Sequence, residues 1–303
     1  MTTKINLKVP AIDCEISGVC NMNCPCCWGT PRNMSQSHSL DEWFNLIKKF
    51  KEDAGLESVT LCGGEPLLVK RIENLAKKIK IDLGLEVYLQ TNGTCSLKTL
   101  EAITPFLTNV SIPIEGSNEK ISSIRRGKNH LSKVIKTLKF LNKNFPDTLL
   151  KVGTVVNSKN VYDLENIGNM LLKQGMDKRF PKKGVWKLYQ MTQFGAGQDD
   201  EEWSFLRIDD KVFNENIKKI KQKFKNKLNI TSISTKETGG YCLIIRPNGK
   251  VVSNSYEDGS EVEIFNDAFK NPKNAIKLIS EYQAVSRVKN RLVKTYNFNW
   301  KKN

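Results

Sequence analysis

The stretch CNMNCPCCW at residues 20–28 decides both the fold and the chemistry expected of this chain. Three of its cysteines, Cys20, Cys24 and Cys27, have the spacing C-x3-C-x2-C. Thiolates from short loops of this kind hold iron–sulfur clusters, and three thiolates leave one iron of a cubane without a protein ligand. An open position on a metal centre indicates chemistry rather than scaffolding, as it does for zinc sites. The stretch therefore predicts a catalytic iron–sulfur centre.

Two other interpretations of the cysteines stay open. A structural zinc site needs four ligands, and neither histidine of the chain, His38 or His130, has metal-ligand spacing to the triplet. A chance group of buried thiols is the second alternative, which four cysteines within eight residues disfavour. Cys26 breaks the spacing and is predicted to be a bystander.

A second motif, Gly63-Gly64-Glu65-Pro66, follows a predicted strand. Its two glycines allow the backbone to approach a ligand closely or to adopt a positive φ. Together with the cysteine triplet, this motif resembles the signature of the radical S-adenosylmethionine (SAM) enzymes. The resemblance implies two cofactors, a [4Fe–4S] cluster and SAM, whose amino and carboxylate groups bind the open iron in that family. There, an electron from the cluster splits SAM into methionine and a 5′-deoxyadenosyl radical.

Strands and helices alternate over residues 12–190. Strands are predicted at 12–19, 58–62, 86–91, 110–114, 150–156 and 185–189, and helices at 39–54, 71–81, 131–142 and 161–173. Such alternation favours a parallel sheet with helical crossovers. The predicted fold class is α/β, a partial (β/α)6 TIM-like barrel of the radical SAM type that is open on one side. In such barrels the chemistry lies at the carboxyl ends of the strands, and the cysteine loop follows strand one.

The pattern changes after residue 193. A polar loop occupies 194–202, Asp209 caps a helix, and the run RPNGK at 246–250 marks a hairpin turn between two apolar runs. The tail from about residue 274 is helical and basic. We therefore predict a barrel domain at 8–193 and a short C-terminal extension at 194–303, whose helix, β-hairpin and basic helix pack on the barrel.

The family resemblance also assigns SAM contacts to residues near the strand ends. In that family the GGE motif binds the SAM amino group, an arginine pairs with the SAM carboxylate, and the sixth strand receives the adenine. The implied cofactor-binding residues are Trp28, Gly63, Gly64, Glu65, Pro66, Asn92, Glu115, Arg126, Asn157, Leu188, Gln190 and Met191. Core packing for Trp28, a surface position for Arg126 and helix capping for the two asparagines are open alternatives.

Residues 20–254 are similar to the viperin branch of this family. The runs RGKNH at 126–130, WKLYQ at 186–190 and FLRIDD at 205–210 carry this resemblance. That branch removes a ribose hydrogen from a nucleoside triphosphate, with loss of water, and the implied substrate-binding residues are Lys151, Lys187 and Tyr241. The resemblance implies a small anionic substrate, with a nucleotide as one candidate. Snorkelling of the two lysines at the barrel ends is the alternative.

The chain departs from the viperin branch at several positions. A basic residue is expected where Val185 stands, and a polar contact where Cys14 stands. Ser58 and Cys62 carry neither the lysine nor the serine expected at their positions. Strand parity points Cys62 into the barrel. A thiol there is a candidate catalytic group that donates a hydrogen atom to a product radical, and the alternative is a small buried residue.

Composition and charge narrow the function classes. The chain has 303 residues, 39% hydrophobic residues, eight cysteines and a net charge of +16. No apolar run of membrane-span length and no signal peptide are found, so a reducing cytoplasm is expected. The charge suits an anionic substrate and an acidic electron donor of the flavodoxin or ferredoxin type, whereas the sequence has no RNA-binding module signature. Radical SAM modification of a peptide or RNA, and a non-enzymatic iron–sulfur or zinc module, remain alternatives.

Overall fold

A computed structural model describes residues 8–29, 34, 37–177, 184–192, 194, 201–240, 242–255 and 259–289. The predicted substrate residue Tyr241 and residues 195–200 of the predicted polar loop lie outside the described residues. Ten strands form one sheet in the order β10-β9-β8-β1-β2-β3-β4-β5-β6-β7. The strands from β1 to β7 run parallel to their neighbours, and helices connect most of them.

The elements follow the predicted alternation. The strands are β1 (Ala11–Ser17), β2 (Ser58–Gly63), β3 (Glu86–Gln90), β4 (Asn109–Pro113), β5 (Leu149–Val156), β6 (Val185–Gln190), β7 (Ile230–Ile233), β8 (Leu243–Ile245), β9 (Val251–Asn254) and β10 (Glu261–Phe265). The helices are α1 (Leu40–Ala54), α2 (Ile72–Ile81), α3 (Leu97–Ile103), α4 (Glu119–Arg126), α5 (His130–Asn144), α6 (Leu164–Lys173), α7 (Asp210–Lys223) and α8 (Pro272–Lys289). Among the described residues, no helix is long and apolar enough to cross a membrane.

Helix α1 shows how local sequence sets an element boundary. Its N-cap is Ser39, whose hydroxyl accepts a hydrogen bond from the Glu42 amide at 3.2 Å, while the Ser39 amide donates to the Glu42 carboxylate at 2.7 Å. This capping box is the one predicted from the sequence. The helix ends at Gly55, which adopts φ +61°, a conformation that glycine takes at little cost.

The two faces of the sheet differ in character. One face packs against the helices through fully buried apolar side chains such as Val59, Val87 and Trp186. Because successive strand residues point to opposite faces, the other face carries residues such as Thr60 and Lys187. This second face lines the interior of the partial barrel, which we call the lumen.

Strands that follow residue 193 extend the sheet at both ends. β7 pairs with β6, and β8 of the C-terminal hairpin pairs in parallel with β1. β9 and β10 then add antiparallel strands beyond β8. The predicted hairpin is present, and its strands belong to the same sheet as the barrel strands. The domain division at residue 193 stays a prediction.

Candidate active site

The cysteine loop follows β1 and lies at the carboxyl ends of the first strands. A cavity of about 50 Å³ opens there. Its lining includes Cys20, Cys24, Cys27, Gly64, Asn92 and Arg126. All three cysteines are free thiols that are partly buried. The structure therefore brings the predicted cluster residues together with three of the predicted SAM residues.

The glycine turn after β2 holds the start of the cysteine loop. Gly63 adopts φ +135°, and a Cβ there would lie 2.3 Å from the Ser17 carbonyl oxygen. A Cβ on Gly64 would lie 2.4 Å from the carbonyl oxygens of both Gly18 and Val19. The Gly64 amide donates to the Ser17 carbonyl at 2.7 Å. Both positions require glycine because the turn and the loop are in backbone contact.

The Glu65 carboxylate stabilises the structure around this motif through hydrogen bonds. It is fully buried and accepts hydrogen bonds from the Leu67 amide at 3.0 Å, the Thr91 hydroxyl at 2.8 Å and the Asn92 amide at 2.6 Å. Burial raises its pKa, and these donors oppose that rise. A SAM contact from the same carboxylate would require it to give up a donor. The predicted Pro66 is buried as well and begins a short 3-10 helix.

Asn92 connects the end of β3 to the cysteine loop. Its Nδ2 donates to Asn21 Oδ1 at 2.7 Å and lies 3.8 Å from Cys20 Sγ. Its backbone carbonyl accepts a hydrogen bond from His130 Nε2 at 3.0 Å. The following helix, α3, is capped by Ser96 instead. Helix capping is therefore not the role of Asn92, and its side chain orders the loop around Cys20.

A buried ion-pair cluster supports the other side of the cysteine loop. Glu115 is 1% exposed and lies 2.7 Å from Arg125 Nη1 and 2.8 Å from Arg126 Nη2. Burial alone would raise the Glu115 pKa, but the two arginines hold it below its usual value. Arg126 Nη1 also lies 3.7 Å from Cys24 Sγ, and Arg125 donates to the Cys26 carbonyl at 2.9 Å. The surface alternative for Arg126 is therefore wrong.

Trp28, directly after the last cysteine, belongs to an aromatic stack. Its ring lies 4.3 Å from that of Phe194, with an interplanar angle of 27°. The guanidinium carbon of Arg246 lies 5.9 Å from the Phe194 ring centroid, within range of a cation–π contact. Arg246 in turn pairs with Glu15 at 2.6 Å and with Glu261. The C-terminal hairpin thus contributes to the position of Trp28.

The predicted adenine strand contributes its side chains to packing. Leu188 is fully buried in the main core. Gln190 donates to Asp210 Oδ1 at 2.8 Å and accepts from the Thr235 amide at 2.9 Å. Met191 is buried in a small apolar cluster near the cysteine loop. A cofactor contact from Leu188 would therefore have to use the main chain of β6.

Asn157 directly follows β5 and stabilises the turn after that strand. Its Oδ1 accepts a hydrogen bond from the Lys159 amide at 2.9 Å, and its Nδ2 donates to the Val155 carbonyl at 3.1 Å. α6 begins later and has Asp163 at its N-cap. Asn157 therefore shapes the β5 turn rather than capping that helix.

The lumen contains a group of charged side chains from three strands. Lys151 lies on β5, Lys187 on β6 and Asp13 on β1. Burial lowers the pKa of Lys187 to about 7, with repulsion from Lys151 adding to the effect. Burial also lowers the Lys151 pKa and raises the Asp13 pKa, and the opposite charges of these groups counteract both shifts. Both lysines therefore lie on the lumen face of neighbouring strands, where their charges act on one another and on Asp13.

Two thiols share the lumen with these charges. Cys62 is 8% exposed and Cys242 is 7% exposed. Burial raises the pKa of both well above the usual value, and the negative charge of Asp13 adds to the rise. Both are therefore protonated thiols at neutral pH, the form that a hydrogen-atom donor requires. A catalytic role for Cys62 stays a prediction.

Sequence reasoning missed several of these residues. It placed a polar position at Cys14, and this is wrong, because Cys14 is fully buried in the core on the helix side of β1. The preceding residue of β1, Asp13, points to the opposite face, which lines the lumen. An acidic residue inside an apolar strand was the available signal. No sequence pattern indicated a role for Arg125, although a SAM contact was predicted for the adjacent Arg126. The pairing of Arg246 with Glu15 spans 231 positions and has no local signature.

The donor set of the cavity fits an iron–sulfur cluster. Three thiols line one space, and N–H groups reach two of them: the Met22 amide donates to Cys20 Sγ at 3.4 Å and Arg126 lies near Cys24. Such hydrogen bonds to sulfur tune cluster thiolates. The cationic guanidinium also offsets the negative charge that thiolates bring.

A partial α/β barrel with three thiols and a glycine turn at the carboxyl ends of its strands defines a class of cofactor-dependent enzyme. A family model described as the Radical SAM superfamily matches residues 14–170, more than half of the chain. The chain belongs to the radical SAM superfamily. It is a radical SAM enzyme, and the cofactors of the family are a [4Fe–4S] cluster and SAM. The predicted family, fold class and cofactors are thereby confirmed.

Named relatives modify nucleotides. The chain is 28% identical over 268 residues to an S-adenosylmethionine-dependent nucleotide dehydratase of Lacinutrix mariniflava, covering 82% of this chain and 51% of that protein. It is 27% identical over 232 residues to a probable GTP 3′,8-cyclase of Sulfurisphaera tokodaii, covering 75% of this chain and 70% of that protein. The chain thus spans about half the length of the Lacinutrix relative.

Solved structures show the same fold. Streptococcus suis SuiB bound to S-adenosylmethionine superimposes with a TM-score of 0.68 at 13% sequence identity, covering 90% of this chain and 66% of that one. At this identity the likeness concerns the fold alone.

Proposed function

We propose that this radical SAM enzyme removes a hydrogen atom from a small anionic substrate, a nucleotide, bound in the lumen. The observation that carries the proposal is the pair of lumen lysines, Lys151 and Lys187. Burial lowers the pKa of both, and a buried ammonium group needs an anion to stabilise its charged form. The names of the two relatives, a nucleotide dehydratase and a GTP cyclase, support the same substrate class.

The cavity residues have distinct roles in this proposal. Cys20, Cys24 and Cys27 would hold the cluster, which when bound supplies the electron that cleaves SAM to a 5′-deoxyadenosyl radical. Arg126 would pair with the SAM carboxylate, because its guanidinium is fixed by Glu115 beside the cluster thiols.

The remaining predicted SAM residues act through backbone and packing. The glycine turn would present a carbonyl to the SAM amino group, since Gly64 lines the cavity. Trp28 would pack beside the adenine, and the main chain of β6 near Leu188 would hydrogen-bond to it. Glu65, Asn92 and Asn157 would fix the loops that carry these contacts.

The lumen would then align one substrate C–H bond with the 5′-carbon of SAM, a proximity effect. Cys62 would donate the hydrogen atom that ends the reaction: its S–H bond breaks, a C–H bond forms on the product radical, and a sulfur radical remains. An electron from the flavodoxin- or ferredoxin-type donor, together with a proton, would restore the thiol.

Anaerobic reconstitution tests the proposal. SAM cleavage to 5′-deoxyadenosine is measured with and without a panel of nucleotides. We expect at least one nucleotide to stimulate cleavage and to be consumed. Lys151→Met and Lys187→Met should abolish the stimulation, whereas Lys48→Met, on the exposed face of α1, should retain it. Equal cleavage with every nucleotide, or stimulation that survives both lumen substitutions, would contradict the nucleotide assignment.

Replacement of Cys62 tests its role separately. If Cys62 supplies the final hydrogen atom, Cys62→Ala should still consume substrate and cleave SAM but lose the reduced product. Cys14→Ala, which removes a thiol on the other face of the sheet, is the matched control. Full product formation by Cys62→Ala would contradict the assignment of Cys62 as the hydrogen-atom donor.

A further inference from the structure

Two adjacent arginines at the end of helix α4 reach different parts of the cysteine loop. Arg126 Nη1 lies 3.7 Å from Cys24 Sγ, whereas Arg125 Nη2 donates to the main-chain carbonyl of Cys26 at 2.9 Å. The first contact is with a predicted cluster ligand, and the second is with the backbone between two predicted ligands. The proposed function assigns a role to Arg126 and none to Arg125.

The barrel strands hold the guanidinium of Arg125 in place through Glu115. Arg125 Nη1 donates to Glu115 Oε1 at 2.7 Å, and Glu115 Oε2 accepts a hydrogen bond from the Val155 amide of β5 at 3.0 Å. Arg125 is 5% exposed and Glu115 is 1% exposed. A guanidinium is planar and presents its donors in a fixed fork, so two acceptors fix its orientation. Arg125 therefore bridges the main chain of the cysteine loop to the barrel.

The carbonyl that Arg125 binds belongs to the peptide group between Cys26 and Cys27. That group is planar, so a hydrogen bond to its oxygen orients the whole plane and the start of Cys27 with it. Cys26 adopts φ +50°, a left-handed conformation that is costly for a residue other than glycine. Such a conformation persists only where surrounding contacts hold it. The bond from Arg125 is one of these contacts.

Stability of the fold does not account for a guanidinium at this place. The Nε of Arg125 is buried and has no hydrogen-bond partner in the part of the chain that the structure describes. A buried ion pair is a weak source of stability compared with apolar packing, and an unpaired buried donor adds a further cost. The contact with the cysteine loop is what an apolar side chain of similar size would not supply.

We infer that Arg125 is a positioning residue for the iron–sulfur cluster, whose guanidinium orients the Cys26–Cys27 peptide group so that the Cys27 thiol meets the cluster together with that of Cys24. The inference goes beyond the proposed function, because it concerns the cluster of the family and not the substrate. Residues that orient metal ligands change metal affinity by about 10- to 100-fold when they are replaced.

Release of iron from the anaerobically reconstituted, oxidised holoenzyme to excess EDTA tests this inference. The rate is measured for wild type, Arg125→Met, Arg125→Lys and Ile276→Ala. Arg125→Met removes the bridge but leaves Glu115 paired with Arg126, and a lysine keeps the charge without the fork. Ile276 is fully buried on α8, which packs against α1, so Ile276→Ala lowers stability through a core cavity away from the cysteine loop.

Arg125→Met should release iron about tenfold or more faster than wild type, and the electron paramagnetic resonance spectrum of its reduced cluster should change. Arg125→Lys should release iron at an intermediate rate, and Ile276→Ala should keep the wild-type rate and spectrum. A wild-type rate and spectrum in Arg125→Met, or in Arg125→Lys if the methionine variant does not fold, overturns the inference. Equal changes in Ile276→Ala overturn it as well. These outcomes leave the proposed function intact, whereas failure of the wild-type protein to bind iron overturns both.

Discussion

At the scale of single residues, the four cysteines of the loop differ in their surroundings. Cys20 and Cys24 are partly buried, line the cavity and lie near N–H donors. Cys26 is buried at 9% exposure, packs with Met191 and Leu206, and adopts φ +50°. Cys26 is not among the residues that line the cavity, whereas the other three cysteines are. The structure thus distinguishes the C-x3-C-x2-C set from its neighbour.

Replacement of each loop cysteine checks this distinction. Cys20→Ala, Cys24→Ala and Cys27→Ala should each lose most of the reconstituted iron and the visible absorption of the cluster, because two remaining thiolates hold a cubane poorly. Cys26→Ala should retain iron and SAM cleavage near the wild-type level. Iron loss in Cys26→Ala that equals the loss in the other three variants would count against the proposed ligand set.

Lys187 gives substrate binding a defined pH dependence. Its pKa is lowered to about 7 by burial and by Lys151, and Cys242 and Asp13 oppose the shift. An anion binds the protonated lysine, so affinity should be highest below pH 7 and fall by up to about tenfold per pH unit above it. Lys187→Arg should flatten the profile, because an arginine stays charged. A flat wild-type profile would contradict this assignment.

The same pKa also predicts a trend in stability. The unfolded lysine titrates near 10.5 and the folded one near 7. Between these values the unfolded state binds more protons, so the free energy of unfolding contributed by Lys187 rises with pH. Chemical denaturation of wild type and Lys187→Met is compared between pH 7 and pH 10.5. Any excess in the free energy of unfolding of Lys187→Met over wild type should shrink or reverse as the pH increases.

At the scale of elements, strong local patterns in the sequence were sufficient to predict the strands of the barrel. The predicted strands and the α1 capping box are present, because apolar runs and the S-x-x-E pattern are local signals. Sequence reasoning missed α3, α4, β7 and β10. β7 has only four residues and no polar–apolar alternation, whereas β10 does alternate glutamate and apolar residues over its first four positions, a local signal that sequence reasoning overlooked. Their place depends on pairing with distant strands, which a single sequence does not reveal.

The glycine turn gives a prediction at this scale. Gly63→Ala should cost about 3 kcal/mol or more, because its Cβ would meet the Ser17 carbonyl oxygen at 2.3 Å. Gly84→Ala is the matched control: Gly84 also has positive φ, but a Cβ there meets nothing within 4 Å, so it should cost about 1 kcal/mol. Chemical denaturation of the apo-protein gives both values, and iron content should drop in Gly63→Ala alone. Equal costs would show that φ strain, and not contact with the cysteine loop, explains the motif.

At the scale of the whole molecule, the C-terminal hairpin joins the sheet next to β1 and so links residues 243–254 to the strand that precedes the cysteine loop. The link is both main-chain, through β8, and ionic, through Arg246 with Glu15 and Glu261. Arg246 also lies over Phe194, which stacks on Trp28. The extension therefore supports the active site, whereas the sequence pattern predicted only that it packs on the barrel.

Replacement of Arg246 tests this link. Arg246→Met leaves two carboxylates without their cation, and loss of one partner from a buried ion pair costs about 3–5 kcal/mol. Lys250→Met, which breaks the exposed pair with Glu263, should cost about 0–1 kcal/mol. Denaturation curves measure both costs, and SAM affinity should weaken only in Arg246→Met through the displaced Trp28.

Because the penalty comes from unpaired carboxylates, Glu15→Gln should recover part of the stability in the Arg246→Met background. A double variant no more stable than Arg246→Met would assign the cost to lost packing instead.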